Sequence, residues 1–201
     1  MRSIKIGIIG LGIVGKAVDH GMKKNGHSTF IHDIKLNTNI KIVLDSEICY
    51  ICVPSPSLKS GECDISIVES VIEELDNLKY LGEVVIKSTV IPGTTDFMAK
   101  KFPNLKLSFV PEFLRERCAI SDFVDNHDIC IIGTNSIESY ELIKHSHGNF
   151  PQKFIKTTPK EAELCKYFNN VYNATLITFA NSFYEICEKL DVNYSNVKDA
   201  V

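Results

Sequence analysis

The sequence lacks a surplus of either charge: 22 lysines and arginines face 25 aspartates and glutamates, a formal net charge of -3 over 201 residues. The lysines are scattered among acids and form no basic stripe, which argues against a nucleic-acid partner. The sequence also lacks an apolar run of membrane length. Its most apolar stretch, Ile4 to Val14, is interrupted by Gly7, Gly10 and Gly12 and closed by Gly15 and Lys16, far short of the ~20 residues a spanning helix needs. No membrane segment and no secretory signal are expected. Seven cysteines, an odd number without framework spacing, exclude a disulfide-stapled secreted domain and point to the reducing cytoplasm. Internal repeats and low-complexity tracts are missing too. What remains is an ordinary globular composition, 44% hydrophobic and 23% charged, long enough to bury roughly 70% of the surface it exposes when unfolded.

Short runs of β-branched and apolar residues recur at Ile4 to Ile9, Thr29 to His32, Ile48 to Val53, Glu83 to Ser88, Lys106 to Phe109 and Asp128 to Ile132. Each is nearly continuous in hydrophobicity, as strands buried on both faces of a parallel sheet should be. Amphipathic segments of helical length lie between them at Val14 to Lys24, Ser66 to Leu78, Thr94 to Lys101 and Ser136 to His147. Asp64 is placed to cap the second of these. The alternation predicts an α/β fold, a doubly wound, mostly parallel Rossmann-type sheet.

From Pro159 to Leu190 there is neither glycine nor strand run, and Ala162, Cys165, Phe168, Tyr172, Leu176, Phe179 and Phe183 recur at three- and four-residue steps. This predicts one α-helix of about 30 residues, a length that suits a domain link or a subunit interface. Asn193 to Asn196 reads as a loop, with a new helix starting at Val197. The division expected is therefore 1–157 for a nucleotide-binding domain and 158–201 for a long helix opening a second domain.

The first strand runs straight into Gly10-Leu11-Gly12-Ile13-Val14-Gly15, and a helical pattern opens behind it. Gly10 permits the tight turn, Gly12 lets backbone approach a pyrophosphate, and Gly15 lets helix and strand pack closely; the helix N-terminus with Ile13 and Val14 then faces the phosphate charge. Asp33 ends the next strand, 23 residues beyond Gly10. Its carboxylate suits both ribose hydroxyls of an adenosine and repels a 2'-phosphate, which favours NAD over NADP. Lys35 nearby works against that preference. The competing reading makes the glycines mere turn residues and Asp33 a strand-end cap.

Three further segments fall at the carboxyl ends of predicted strands: Ile51-Cys52-Val53-Pro54-Ser55-Pro56, Lys87-Ser88-Thr89-Val90-Ile91-Pro92-Gly93-Thr94-Thr95, and Val110-Pro111-Glu112-Phe113-Leu114-Arg115-Glu116. Together with the glycine turn and with Glu161-Ala162-Glu163-Leu164-Cys165-Lys166-Tyr167-Phe168-Asn169-Asn170, the chain resembles the UDP-glucose/GDP-mannose dehydrogenase family over its whole length. The Pro-Glu-Phe-Leu-Arg-Glu run is the most specific element. That family oxidises a nucleotide-sugar alcohol to a carboxylate with NAD, through an aldehyde and a cysteine-bound thioester.

The resemblance implies that Thr89 lies beside the nicotinamide and helps hold a catalytic water, that Glu112 is the general base, and that Ser55 and Glu116 lie near the cofactor. Phe113, Leu114 and Arg115 join Glu112 as expected substrate contacts. Lys166 and Asn170 are assigned to the sugar oxygen that becomes charged, with UDP-glucose as the expected substrate and a homodimer through the long helix. On physical grounds, Lys166 and Asn170 are four apart and share a helix face. An ammonium and an amide suit a developing oxyanion, although such a pair can also be a solvated surface. Glu112, after a proline in a loop, is either a base held by backbone or an exposed loop acid; Ser55 serves equally as a turn residue.

Cys49 and Cys52 sit in an apolar run and read as buried structural cysteines, and no His, Cys or acid spacing marks a metal site. The family's nucleophile lies in a Phe-Gly-Gly-x-Cys-x-Pro-Lys-Asp segment, and none of the seven cysteines has that setting. By family spacing it is expected some 20 residues beyond Val201. Three readings follow: the cofactor-binding portion of a nucleotide-sugar dehydrogenase, a short NAD-binding module without turnover, or a two-electron dehydrogenase of the β-hydroxyacid type.

Overall fold

The computed structural model describes residues 2–201. Seven strands, β1 (Lys5–Ile9), β2 (Ser28–His32), β3 (Ile48–Ile51), β4 (Glu83–Ile86), β5 (Lys106–Phe109), β6 (Ile129–Gly133) and β7 (Lys153–Thr157), form one sheet in the order β2-β1-β3-β4-β5-β6-β7. All neighbours are parallel except β5 and β6, which meet antiparallel at Phe109 and Gly133. The doubly wound, mostly parallel sheet is as expected.

Side chains alternate across that sheet. Ile9, Cys49, Ile51, Val84 and Ile86 face one way onto α2 (Ser66–Asn77) and α3 (Thr94–Lys101). Ile6, Ile8, Ile48, Tyr50 and Val85 face the other, onto α1 (Ile13–Lys24), α4 (Ala119–Val124) and α5 (Ile137–His147). Because helices cover both faces, every position of β3 and β4 is buried, which is why these strands read as unbroken apolar runs. Asp64 stands one residue before the N-cap position, Ile65, and its Oδ1 accepts from the first amide of α2, the Ser66 N–H, at 2.9 Å.

Three elements depart from the sequence expectation. β7 has just Phe154 and Ile155 as large apolar residues, between Lys153 and Lys156; at the sheet edge one flank is unpaired and lysines discourage further strand addition. α4, six residues long, is too short for a periodic pattern. Asn193 to Asn196 is not a loop: Asn193 caps α7 (Tyr194–Asp199), its Oδ1 accepting from the Ser195 N–H at 2.8 Å, so the helix starts three residues before Val197.

The long helix is α6 (Pro159–Lys189). The chain divides into two compact units, Met1–Lys166 and Tyr167–Val201, with the boundary inside α6. In the second unit Phe168 stacks on Tyr172 and Phe179 meets Phe183 along the helix.

A histidine cluster lies under α5. His147 is fully buried among Tyr50, Phe123 and His127. Its Nδ1 faces the Ile143 carbonyl at 2.9 Å and so carries the proton, while Nε2 has no hydrogen-bond partner. Burial pushes its pKa well below the ordinary histidine value, reinforced by Lys87, and burial also lowers His27 and His127. Between the depressed folded value and about 6.5 the unfolded chain binds more protons, so stability is complete above pH about 6.5 and is lost as pH falls. For His147 alone the slope reaches about 1.4 kcal/mol per pH unit. Urea midpoints at pH 7.5 and 5.5 measure it, and His147→Leu should flatten the difference; equal slopes in both proteins would refute the assignment.

Candidate active site

The sheet changes winding direction at β1, whose neighbours are β2 and β3, and the carboxyl ends of the strands there open a crevice of the kind that binds ligands. A cleft of about 250 Å³ occupies it. Val14 comes from the first turn of α1, Cys52 to Ser55 from the loop after β3, Lys87 to Thr89 from the end of β4, Glu112 and Leu114 from the segment after β5, and Lys166 from α6. Ser88 fastens two of these loops together: its hydroxyl donates to the Val53 carbonyl at 2.7 Å.

The glycine turn has the close geometry its sequence predicts. Gly10 adopts φ of 93°, in the left-handed region. A Cβ at Gly15 would stand 2.0 Å from the Gly10 carbonyl oxygen, whereas one at Gly12 would meet nothing within 4 Å. Asp33 is bound to this turn: its Oδ2 accepts from the Leu11 N–H at 2.6 Å and its Oδ1 from the Lys35 N–H at 2.7 Å. Those two amides hold its carboxyl below the usual carboxylate range. Lys35 therefore engages Asp33 through its backbone.

Glu112 is buried, and so is not the exposed loop acid that was the alternative. Its Oε2 lies 2.9 Å from Lys87 Nζ, and its Oε1 accepts from the Phe113 N–H at 3.2 Å. Lys166 Nζ donates to the Glu112 carbonyl oxygen and lies 5.6 Å from the centre of the Phe113 ring. Burial lowers the Lys166 pKa, with the Glu112 charge opposing.

Val14, Ser55, Thr89, Glu112, Leu114 and Lys166 are thus brought to one cleft. Arg115 and Glu116 are exposed and outside its lining. The Arg115 guanidinium instead grips Asp122 with Nε at 3.0 Å and Nη2 at 2.7 Å, which holds Asp122 down at about 2. Asn170 is exposed and belongs to the second unit. Lys87 and Glu163 stand in the sequence motifs without an assigned role. The signal for Lys87 was a charge ending the apolar run Val84-Val85-Ile86. Among the described residues no group of three or more His, Cys, Asp or Glu is placed to hold a metal ion.

Residues 34–150 match the UDP-glucose/GDP-mannose dehydrogenase family, NAD binding domain, and residues 160–201 match that family's central domain. The chain belongs to the UDP-glucose/GDP-mannose dehydrogenase family. UDP-glucose 6-dehydrogenase TuaD of Bacillus subtilis is 34% identical across 100% of this chain and 44% of its own length. The crystal structure of GDP-mannose dehydrogenase from Pseudomonas aeruginosa superposes with a TM-score of 0.84 and 28% identity, over 100% of this chain and 56% of that one. A UDP-glucose dehydrogenase from the archaeon Pyrobaculum islandicum shares the fold, with a TM-score of 0.90 and 24% identity over 99% of this chain and 56% of that one. The chain spans less than half the length of the Bacillus relative.

NAD is the cofactor of this family's N-terminal domain, and the residues present fit it. No side chain caps the N-terminus of α1 at Gly12, so its first amides are available to a pyrophosphate. The open space over Gly12 gives backbone access, and Asp33 stands fixed beside the turn. Asp33→Ala should weaken NAD binding by about tenfold to a hundredfold, since hydrogen bonds to a charged group are worth about 1.5–3 kcal/mol. Titration calorimetry measures this, and an unchanged Kd would mean that Asp33 takes no part in NAD binding.

Proposed function

We propose that this chain is the NAD-binding portion of a nucleotide-sugar dehydrogenase of the UDP-glucose 6-dehydrogenase type, which oxidises the C6 alcohol of the sugar towards the uronic acid. The observation that supports it best is the convergence of Thr89, Glu112 and Lys166 on one cleft beside the glycine turn. NAD supplies the hydride acceptor. Lys166 presents an ammonium that stabilises an alkoxide as the alcohol loses its proton. Glu112, a buried carboxylate at the cleft, is the group available to accept a proton from a water there. By motif Thr89 would help to hold that water, and Asn170 would contact the sugar oxygen. UDP-glucose is preferred because a relative 34% identical in sequence over the whole of this chain is named for it.

One observation favours a second reading, an NAD-binding module without turnover. Cys52 lines the cleft, but burial pushes its thiol up to about 12, so it offers no thiolate at neutral pH. The experiment is direct. The chain is mixed with NAD and UDP-glucose and absorbance is followed at the NADH band; NADH formation would exclude the module, and Lys166→Met should slow it at least about a hundredfold. Without NADH the reading frame past Val201 decides: a Gly-Gly-x-Cys segment there supports the dehydrogenase, and a stop codon selects the module.

The same proposal includes a homodimer through α6, located in the cytoplasm. Phe168, Tyr172 and Phe179 are 74%, 55% and 60% exposed on that helix, large apolar side chains of the kind a partner's surface covers. Light scattering should give twice the chain mass, and a monomer would refute this part. No helix of the described residues is long and apolar enough to cross a membrane.

A further inference from the structure

Lys87 and Glu112 stand at the ends of adjacent strands. β4 and β5 pair with Ile86 opposite Phe109, so the residues that follow each strand emerge side by side. The Lys87 side chain is 1% exposed and that of Glu112 8%, with Nζ and Oε2 2.9 Å apart. Desolvating two ions carries a large penalty, and an apolar pair of the same volume would often serve stability as well or better. A buried pair at a cleft therefore asks for a reason other than stability.

The surroundings supply one. The Tyr50 and Phe123 rings each lie 5.8 Å from Lys87 Nζ, so the ammonium is enclosed by aromatic faces and one carboxylate oxygen. Cys52 and Cys130 also face the pair; burial pushes both thiols up to about 12, so they stay neutral. His127 and His147 face it from the other side, and burial lowers both, so they too are neutral at pH 7. Lys166 donates to the carbonyl of Glu112. Lys87 is left as the cation on the Glu112 carboxylate.

We propose that Lys87 is the positioning residue of this site: its ammonium fixes the Glu112 carboxylate at the edge of the cleft, where it can accept a proton. The role rests on the reading of Glu112 as the base, and Lys87 acts through Glu112 without touching substrate.

The test is the titration of the Lys87 amine, followed by nitrogen NMR in the whole chain and in Glu112→Gln, which keeps the shape and removes the charge. The Lys87 midpoint should fall by at least about one pH unit, because an opposite charge at this distance is worth about one to three units. A midpoint moved by less than a few tenths would overturn the proposal. Should Glu112→Gln not fold, Glu112→Asp decides: the shorter side chain draws the carboxylate away from the ammonium and should move the Lys87 midpoint in the same direction, and an unmoved titration would again overturn the proposal. Both measurements are independent of turnover, so failure of the dehydrogenase reading would leave this result standing. In a chain that does turn over, Lys87→Met should lower kcat at least about tenfold with the KM for NAD unchanged; an unchanged kcat would mean that Lys87 is merely structural.

Discussion

Glu163→Ala is expected to lower the free energy of unfolding by about 3–5 kcal/mol, measured by urea denaturation followed by circular dichroism. Glu163 is fully buried on α6 and accepts from the Gly93 N–H, from the Thr95 N–H at 2.7 Å and from the Thr95 hydroxyl at 2.6 Å. α3 begins at Thr94 behind Gly93, a residue with no side chain to cap it, and Glu163 supplies the missing cap from another element. Alanine would leave three donors unpaired, each worth about 1–3 kcal/mol when buried. Against a total of about 5–15 kcal/mol that is a large fraction.

The effect should also reach the cleft. Lys87 to Thr95 form one segment, with Thr89 at the cleft and Thr95 on Glu163, and Lys166 lies one helical turn beyond Glu163 on α6. NAD affinity should therefore fall as well. Glu163→Gln retains part of the acceptor set and should lose about half as much stability. A loss below about 1 kcal/mol for the alanine variant would mean that water replaces the carboxylate.

Gly15→Ala is the second large effect. The added methyl would stand 2.0 Å from the Gly10 carbonyl oxygen and 3.0 Å from its carbon, both backbone atoms. Gly10 has little room to retreat, because even the space for a Cβ on it is taken by the Cys52 carbonyl, whose oxygen would stand 2.7 Å away. Helix and turn must separate, and overpacking of this sort destabilises by about 1–3 kcal/mol or more. NAD affinity should fall at least about a hundredfold, since the turn that receives the pyrophosphate is the part displaced. Gly12→Ala is the control. Its methyl meets nothing within 4 Å, so thermal stability should stay within about 0.5 kcal/mol while NAD binding still weakens, because the methyl enters the space the pyrophosphate needs. Equal unfolding temperatures for the Gly15 variant and the unaltered chain would show that the close approach is not required.

The legibility of the fold varied with burial. β3 and β4 were visible because both faces are covered, so that every residue from Ile48 to Ile51 and from Val84 to Ile86 is apolar or aromatic. β7 was not, because an edge strand between two lysines needs little apolar surface. α7 was misplaced because Asn193 and Asn196 look like turn residues in isolation, and Asn193 is the cap of the helix that follows.

By itself the sequence determined the glycine turn, Asp33 behind it, the strand–helix alternation and the length of α6. These are local: a strand, a turn and a helix start are specified within a few residues, and a carboxylate ends the very next strand. The tertiary structure decided which charges meet. Lys87 pairs with Glu112, 25 positions away, and Glu163 caps a helix 68 positions upstream. Such contacts are set by strand order and helix packing, and neither partner carries any mark of the other in the chain.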